Sequence, residues 1–421
     1  MYKLFGINPL GSHIINFVIH CFNSLLVIYI SKRILSNRFL AWATGAFYVA
    51  AFRVHFDPLC WMVGFCDLGA MFAFLLSMAL FIRGNKLVSA VIFVLGFFIK
   101  EHIIVLIAIL PLYAYLMEFR SQFSFKRILK TILPHCLGLL IFYLPIKMSI
   151  LKNVHISAQD PYGVSSSIPN ALSNLRVLST FGLEALCSLT PCGLSDPINL
   201  GFVALGMVLF IWAVLRRGIK FSGRTGLLVA WIVIAALPPA LLANHAMEGY
   251  YFTYSFPALA MLAVLGIRYV ISGFSYSHRA RVILILALLL VNISSVTYSF
   301  KQQDYAGINA PLLDDCLIPR AHFARMLERY LSSRSSRIAS GTTIVIDRVN
   351  DRLYMPVDKQ LEVLLNDPSI KGYVVVSLVH DSTGYYALVP EAGRIARIDL
   401  QKDKILYLRL VDDKLVECPL P

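Results

Sequence analysis

Three short polar segments interrupt a chain that otherwise consists of one apolar run after another. They are residues 53–57, 100–102 and 244–248, called here the first, second and third polar segments. Ionisable side chains at membrane depth are energetically costly, and where they occur they usually serve a function. These segments therefore hold the residues whose chemistry has to be considered first.

The first polar segment contains Arg53, His55 and Asp57. A carboxylate such as Asp57 could hold a divalent cation or take the proton of an acceptor hydroxyl, and the imidazole of His55 could orient or assist it. The alternative is an interfacial loop whose charges simply face water, with Trp61 in the aromatic belt at the membrane surface.

The second polar segment consists of Lys100, Glu101 and His102, between two apolar runs. The adjacent opposite charges could form a neutralised pair at a helix turn. Lys100 could instead meet the phosphate of a lipid. The residues alone leave both possibilities open.

The third polar segment contains His245 and Glu248, and Tyr250 and Tyr251 follow it directly before an apolar run. These groups could bind a donor or an acceptor. The alternative is an aromatic belt without catalytic function.

The elements that position these segments are predicted to be membrane helices. Of 421 residues, 58% are hydrophobic and 15% are charged, and the mean hydropathy is +0.70. A soluble core cannot bury that much apolar surface, so an α-helical polytopic membrane protein is predicted. About ten spans are expected, several of them short enough to be tilted, broken or partly buried: 13–33, 38–53, 66–82, 86–99, 102–118, 128–149, 201–216, 226–243, 251–271 and 281–299.

The net charge of +14 does not indicate nucleic-acid binding, because it is confined to the membrane half; residues 301–421 hold equal numbers of basic and acidic side chains. One set of turns is almost purely basic, with Glu118 as its one acid: 31–38, 83–86, 118–130, 216–224 and 268–281. The positive-inside rule predicts that these turns are cytoplasmic. The polar segments and the tail are then predicted on the outer face: the periplasm or exterior in a bacterium, the lumen of the endoplasmic reticulum in a eukaryote.

Two regions outside the spans are predicted to fold on the outer side. In the loop 151–200, leucines recur at helical spacing over 170–191, which predicts a helix lying in the membrane interface. The tail 301–421 is predicted to be a small α+β domain that acts as a scaffold or docks an acceptor. Its expected helices are 319–334 and 357–365, and its expected strands are 342–347, 372–378, 385–389, 394–398 and 404–410.

The cysteines allow two disulfides, Cys187–Cys192 in the outer loop and Cys316–Cys418 in the tail, although unpaired thiols are favoured for both pairs. The sequence has no CxxC or HExxH spacing that indicates a metal site.

Three ordered motifs resemble those of the GT-C glycosyltransferases, in particular the protein O-mannosyltransferases with transmembrane and tetratricopeptide-repeat regions and their bacterial relatives. Asn16-x-x-x-His20-x-x-Asn23 is similar to a helix of that family. His55-x-Asp57-x-Leu59-x-Trp61, followed by Asp67-Leu68, is similar to its H-x-E-x-V-x-W loop and the run after it. Lys100-Glu101 with Pro111 resembles its K-E…P segment.

This resemblance implies transfer of a sugar from a dolichyl or undecaprenyl phosphate to a protein or glycan acceptor on the outer face, often with a divalent cation such as Mg²⁺ or Mn²⁺. It implies that Asp57, His55 and Glu101 are catalytic, with Asp57 also the metal ligand. Lys100, His102 and Arg53 would lie near the donor phosphate. The donor or acceptor loop would contain His245, Glu248 and Tyr250.

The chain departs from the family pattern in several places. Arg53 replaces a usual proline, Asp57 a usual glutamate, and Glu248-Gly249-Tyr250 an expected Arg-Tyr pair. A first span and an outer loop with the main catalytic acid are expected before the segment that begins at Met1. A non-catalytic GT-C-fold subunit and a transporter or flippase of a lipid-linked sugar are therefore the alternative hypotheses.

Overall fold

The computed structural model describes residues 9–51, 54–55, 58–59, 64–118, 124–145, 167–187, 201, 204, 208, 222–243, 247, 249–271, 326–331, 333–334, 338–347, 369–375, 377–381, 384–391, 394–400, 405–411 and 414–420. The chain forms two compact units, Met1–Thr297 and Tyr298–Pro421. Each unit is described by itself below.

The first unit is helical. Its α-helices are α1 (Pro9–Leu35), α2 (Arg38–Ala50), α3 (Phe65–Arg83), α4 (Lys86–Phe97), α5 (Leu106–Tyr113), α6 (Phe125–Gly138), α7 (Ile168–Cys187), α8 (Gly223–Ala240) and α9 (Phe256–Ile271). A 3₁₀ turn, Glu101–Val105, leads into α5, and π turns at Ala114–Glu118 and Leu139–Tyr143 extend α5 and α6. A second 3₁₀ turn, Gly249–Phe252, precedes α9.

The helix ends follow local chemistry. The side chains of Asn37, Ser124 and Ser222 accept hydrogen bonds from the backbone N–H groups of the first turns of α2, α6 and α8, which satisfies donors that have no partner within the helix. Helix α3 ends at Gly84, which has a φ of 97° that side-chain-bearing residues rarely adopt. Helices α3 and α4 are therefore joined by a tight turn.

Small and polar residues bring the helices together. A Cβ atom at Gly45 of α2 would lie 2.2 Å from Cγ1 of Ile28 in α1, so these two helices approach closely there. The Ser77 hydroxyl of α3 donates to the Ser89 carbonyl of α4 at 2.9 Å, and the Ser89 hydroxyl lies 2.9 Å from Nε2 of His135 in α6. Close packing of small residues and hydrogen bonds between helices are the usual means of helix association in membranes. Burial of apolar surface stabilises that association little, because the lipid tails are equally apolar.

The structure supports an integral membrane protein. Among the described residues, four helical segments are long and apolar enough to cross a bilayer: Leu10–Leu35, Phe65–Arg83, Glu101–Glu118 and Gly223–Ala240. Lys86–Phe97 and Phe256–Val270 are apolar but shorter. Large apolar side chains such as Phe17, Trp42 and Leu87 are exposed on the helix surfaces, which suits contact with lipid.

The predicted number of ten spans is not confirmed. Helices lie within or across the predicted segments 38–53 and 128–149, but the segments 201–216 and 281–299 fall outside the described residues except for single positions. In the predicted span 102–118, a 3₁₀ turn, an α-helix and a π turn follow one another.

Helix α7 lies where an interfacial helix was predicted. Leu178 and Ala185 are buried, and a Cβ atom at Gly182 would lie 2.6 Å from the Phe252 ring. Glu184 is buried as well. The helix therefore packs on protein along one side, and its depth in a membrane stays a prediction.

The described residues of the second unit form two sheets and a short helical segment, 326–331. The strands are β1 (Thr343–Asp347), β2 (Lys371–Val375), β3 (Ser377–Asp381), β4 (Gly384–Glu391), β5 (Arg394–Leu400), β6 (Ile405–Val411) and β7 (Lys414–Glu417). One sheet has the order β2-β1-β6-β7, with β1 parallel to β2 and β6, and the other is an antiparallel β3-β4-β5 sheet.

Two features of this unit differ from the prediction. The predicted single strand over 372–378 is two strands in different sheets, and the last strand, β7, was not predicted. The predicted helix 357–365 lies outside the described residues. Cys418 is a free thiol. The other cysteines of the two predicted pairs lie outside the described residues: Cys316, Cys192 and the side chain of Cys187.

A polar group lies at the end of β1. Asp347 accepts hydrogen bonds from the Tyr407 hydroxyl and from the Arg409 guanidinium of the neighbouring strand β6. Partial burial, together with the hydrogen bond to Asp347, raises the pKa of Tyr407. These bonds tie the two central strands together at this edge.

Candidate functional site

Polar residues of α1 contact α3 and the chain before it. Asn16, His20 and Asn23 are buried and lie four and three residues apart, on one face of the helix. The Asn16 amide donates to the Leu59 carbonyl at 3.5 Å, and the Asn23 amide donates to the Leu68 carbonyl at 3.1 Å. The first of the three motifs thus contacts the region of the second.

His55 of the first polar segment lies in a buried group of rings. Its ring centroid is 4.7 Å from that of His20, 4.5 Å from that of Tyr48 and 5.9 Å from that of Phe256. The ring nitrogens of His20 and His55 and the Tyr48 hydroxyl have no hydrogen-bond partner within the described part of the chain. Arg53 and Asp57, the charged members of this segment, lie outside that part.

Lys100 of the second polar segment forms an ion pair with Asp67 in the first turn of α3. Its ammonium nitrogen also lies 5.1 Å from the ring centroid of Tyr250 and 5.8 Å from that of Tyr251. The side chains of Lys100 and Asp67 are 27% and 11% exposed. The ammonium group therefore contacts one carboxylate and two aromatic rings, and part of the lysine side chain remains exposed.

His102 compensates for a proline inside α8. Pro239 of α8 has no N–H, so the carbonyl of Ala235, four residues earlier, lacks its usual helical donor. Nε2 of His102 lies 2.8 Å from that carbonyl. Because a carbonyl can only accept, Nε2 must carry the proton.

The same imidazole ring stacks on Tyr254, with centroids 4.3 Å apart and planes 18° from parallel. In a neutral ring with its proton on Nε2, Nδ1 is an acceptor, which does not suit a phosphate oxygen. These contacts favour a positioning role for His102, and its predicted binding to a phosphate stays a prediction.

Helix α8 fixes the position of Tyr254 in turn. The indole N–H of Trp231 donates to the Tyr254 carbonyl at 2.9 Å, and the Ser255 hydroxyl donates to the Ile232 carbonyl at 3.0 Å. Trp231, Tyr254 and Phe74 pack together, with ring centroids of Phe74 5.8 Å and 5.3 Å from those of the other two. The chain before α9 is therefore anchored by both hydrogen bonds and packing.

The segment 249–256 connects all these groups. Tyr250 and Tyr251 contact Lys100, Tyr254 contacts His102, and Phe256 contacts His55. Residues from the first and second polar segments thus meet the chain that directly follows the third. This assembly of Lys100, Asp67, His102 and the segment 249–256 is called the polar cluster below.

Of the remaining predicted site residues, the structure describes two. Glu101 is exposed at the start of its 3₁₀ turn, and Tyr250 is buried in the polar cluster. His245 and Glu248 lie outside the described residues.

The described residues do not form a cation site. No three His, Cys, Asp or Glu side chains converge among them, and Asp67 is already paired with Lys100. Asp57, the predicted metal ligand, lies outside these ranges, so a divalent cation stays a prediction.

Sequence reasoning did not include Asp67, Tyr48 or Tyr254 among the site residues. Asp67 carried a usable signal, because it is a charged residue in the first turn of an otherwise apolar helix. Nothing in the sequence around Tyr48 or Tyr254 separates them from other aromatic residues of a membrane protein.

Comparison with known proteins identifies no relative. No family model matches the chain, and neither the curated proteins nor the solved structures include a match to it.

Proposed function

We propose that this chain is a membrane glycosyltransferase that moves a sugar from a polyprenyl-phosphate donor to a protein or glycan acceptor. The observation that supports the proposal is the polar cluster. The resemblance of the motifs to GT-C enzymes implies that Lys100 is a phosphate ligand. The Lys100 side chain is partly exposed, and it contacts Asp67, Tyr250 and Tyr251, which come from two distant parts of the chain. A cation kept accessible in an apolar helical unit is suited to an anionic headgroup.

The reaction makes two demands on the protein. The departing lipid phosphate needs charge compensation, and the acceptor hydroxyl needs a base. Lys100 supplies the positive charge. The proposal assigns the acid–base roles to Asp57 and Glu101 and gives His55 a supporting role beside Asp57, as the resemblance to GT-C enzymes implies.

The proposal also places the reaction on one face of the membrane. The basic turns are cytoplasmic under the positive-inside rule, so the polar cluster and the C-terminal unit are assigned to the outer face. The membrane is then a bacterial inner membrane or the endoplasmic reticulum.

The proposed function is tested by transfer of radiolabelled mannose or glucose from dolichyl or undecaprenyl phosphate by the full chain in liposomes. The wild type is expected to label a protein or glycan acceptor. Asp57→Asn and Glu101→Gln are each expected to reduce this transfer by about 100-fold or more, the usual contribution of an acid–base group. Glu118→Gln, which removes an equal charge at the other end of the segment Glu101–Glu118, is the matched control.

The rates distinguish the proposal from its alternatives. Undiminished transfer by Asp57→Asn and Glu101→Gln would remove these two residues from the site. Absence of transfer by the wild type from every donor would favour a non-catalytic membrane subunit.

A further inference from the structure

Lys100 already has an anionic partner at the position where a substrate phosphate would bind. Asp67 occupies one side of the ammonium group, and Tyr250 and Tyr251 lie within 6 Å of it through their rings. We propose that Asp67 competes with the lipid phosphate for Lys100, so that the ion pair closes the site when it is empty and opens when the phosphate binds. This inference rests on the proposed function for the identity of the ligand.

The geometry indicates which partner gives way. Tyr250 and Tyr251 are 8% and 6% exposed and pack against each other with ring centroids 4.3 Å apart and planes tilted by 33°, so moving either ring would disrupt packing. Asp67 has a short side chain in the first turn of α3, where the helix dipole stabilises a carboxylate, so it can turn away from Lys100 by side-chain rotation at the cost of the ion pair. The phosphate therefore displaces Asp67 and leaves the aromatic rings in place.

The charges set the strength of the competition. A sugar-phosphate diester carries one negative charge, as the Asp67 carboxylate does, so the exchange on Lys100 is nearly balanced in charge. A phosphate monoester carries about 1.5 to 2 negative charges near pH 7 and competes better. The polyprenyl phosphate left after transfer is such a monoester, and Asp67 favours its release by taking Lys100 back.

The inference is tested by the binding of farnesyl phosphate, a short polyprenyl phosphate monoester, to the full chain in detergent micelles. Asp67→Asn is expected to lower the Kd by at least about threefold, because a partly exposed ion pair no longer has to be broken. Lys100→Met is expected to raise the Kd strongly. Glu118→Gln is the control for loss of one negative charge and is expected to leave the Kd unchanged.

The double variant separates competition from simple repulsion between Asp67 and the phosphate. In the Lys100→Met background, Asp67→Asn is expected to have almost no effect on the Kd, because the two residues act through one contact. Equal tightening in both backgrounds would overturn the inference. Unchanged or weaker binding by Asp67→Asn would also overturn the inference. An absence of binding by both the wild type and Asp67→Asn would overturn it as well.

The binding result is independent of turnover. The expected binding pattern without sugar transfer would support the competition and contradict the proposed function. Sugar transfer with unchanged binding by Asp67→Asn would support the proposed function and contradict the competition.

Discussion

Lys100→Met is expected to reduce sugar transfer by at least about 100-fold, the loss that follows removal of one preorganised group that stabilises charge in a transition state. Methionine keeps the length and apolar contacts of the lysine side chain but removes its charge. The departing phosphate would then develop its charge without a compensating ammonium group in a site bordered by buried tyrosines. The measurement is the rate of transfer from a polyprenyl-phosphate-linked sugar by the full chain in liposomes.

Two controls exclude a general loss of structure. Lys86→Met removes a lysine that likewise contacts an aromatic ring and a polar side chain, those of Phe81 and Thr131, and it should retain wild-type transfer. Lys100→Met leaves the largely buried Asp67 carboxylate without its cation, which costs stability. The double variant with Asp67→Asn should recover thermal stability but not transfer. Recovery of transfer in that variant would assign Lys100 a structural role only.

Trp231→Ala is expected to lower the free energy of unfolding by about 3–5 kcal/mol, as loss of a fully buried large side chain does. The side chain is 0% exposed, packs on Phe74 and donates a hydrogen bond to the Tyr254 carbonyl. Its removal leaves a cavity and an unsatisfied carbonyl beside the polar cluster. Thermal unfolding of the detergent-solubilised chain measures the effect.

The matched control is Trp42→Ala, since Trp42 is 63% exposed on the apolar surface of α2. This variant should change stability by less than about 1 kcal/mol. Trp231→Phe keeps most of the packing and loses the hydrogen bond, so it should lie between the two. Equal losses for Trp42→Ala and Trp231→Ala would contradict the packing described for α8.

Much of the helical unit could be predicted because its signals are local. Apolar runs locate α3, α4 and α8 within a few residues, and capping residues such as Asn37 and Ser222 mark where helices begin. The number of spans could not be fixed in this way. Hydropathy measures the apolar character of a segment, whereas crossing a membrane also requires length, and α4 and α9 are short.

The polar cluster depends on contacts that no local pattern encodes. Lys100 and Asp67 are 33 residues apart, and their pairing requires α3 and the second polar segment to meet. The contact between His102 and the Ala235 carbonyl spans 133 residues and exists because a proline four positions later removes the normal donor. A sequence shows that a carbonyl loses its donor but not which side chain replaces it.

The tail shows a similar limit. The run 371–381 has continuous strand character, so its division between two sheets could not be inferred from residue preference. Pairing partners determine it: β2 pairs with β1, whereas β3 pairs with β4. Strand propensity is mainly a measure of fit to such neighbours.

The central claim is that the polar cluster binds the phosphate end of a polyprenyl-phosphate lipid. The most direct test is photo-crosslinking of the full chain in liposomes with a polyprenyl phosphate that carries a diazirine beside the phosphate, followed by mass spectrometry of the labelled peptides. Labels are expected on residues 64–68, 98–102 and 249–256, with loss of labelling in Lys100→Met. Labels confined to the basic turns at 83–86 and 124–131, or labelling unchanged in Lys100→Met, would contradict it.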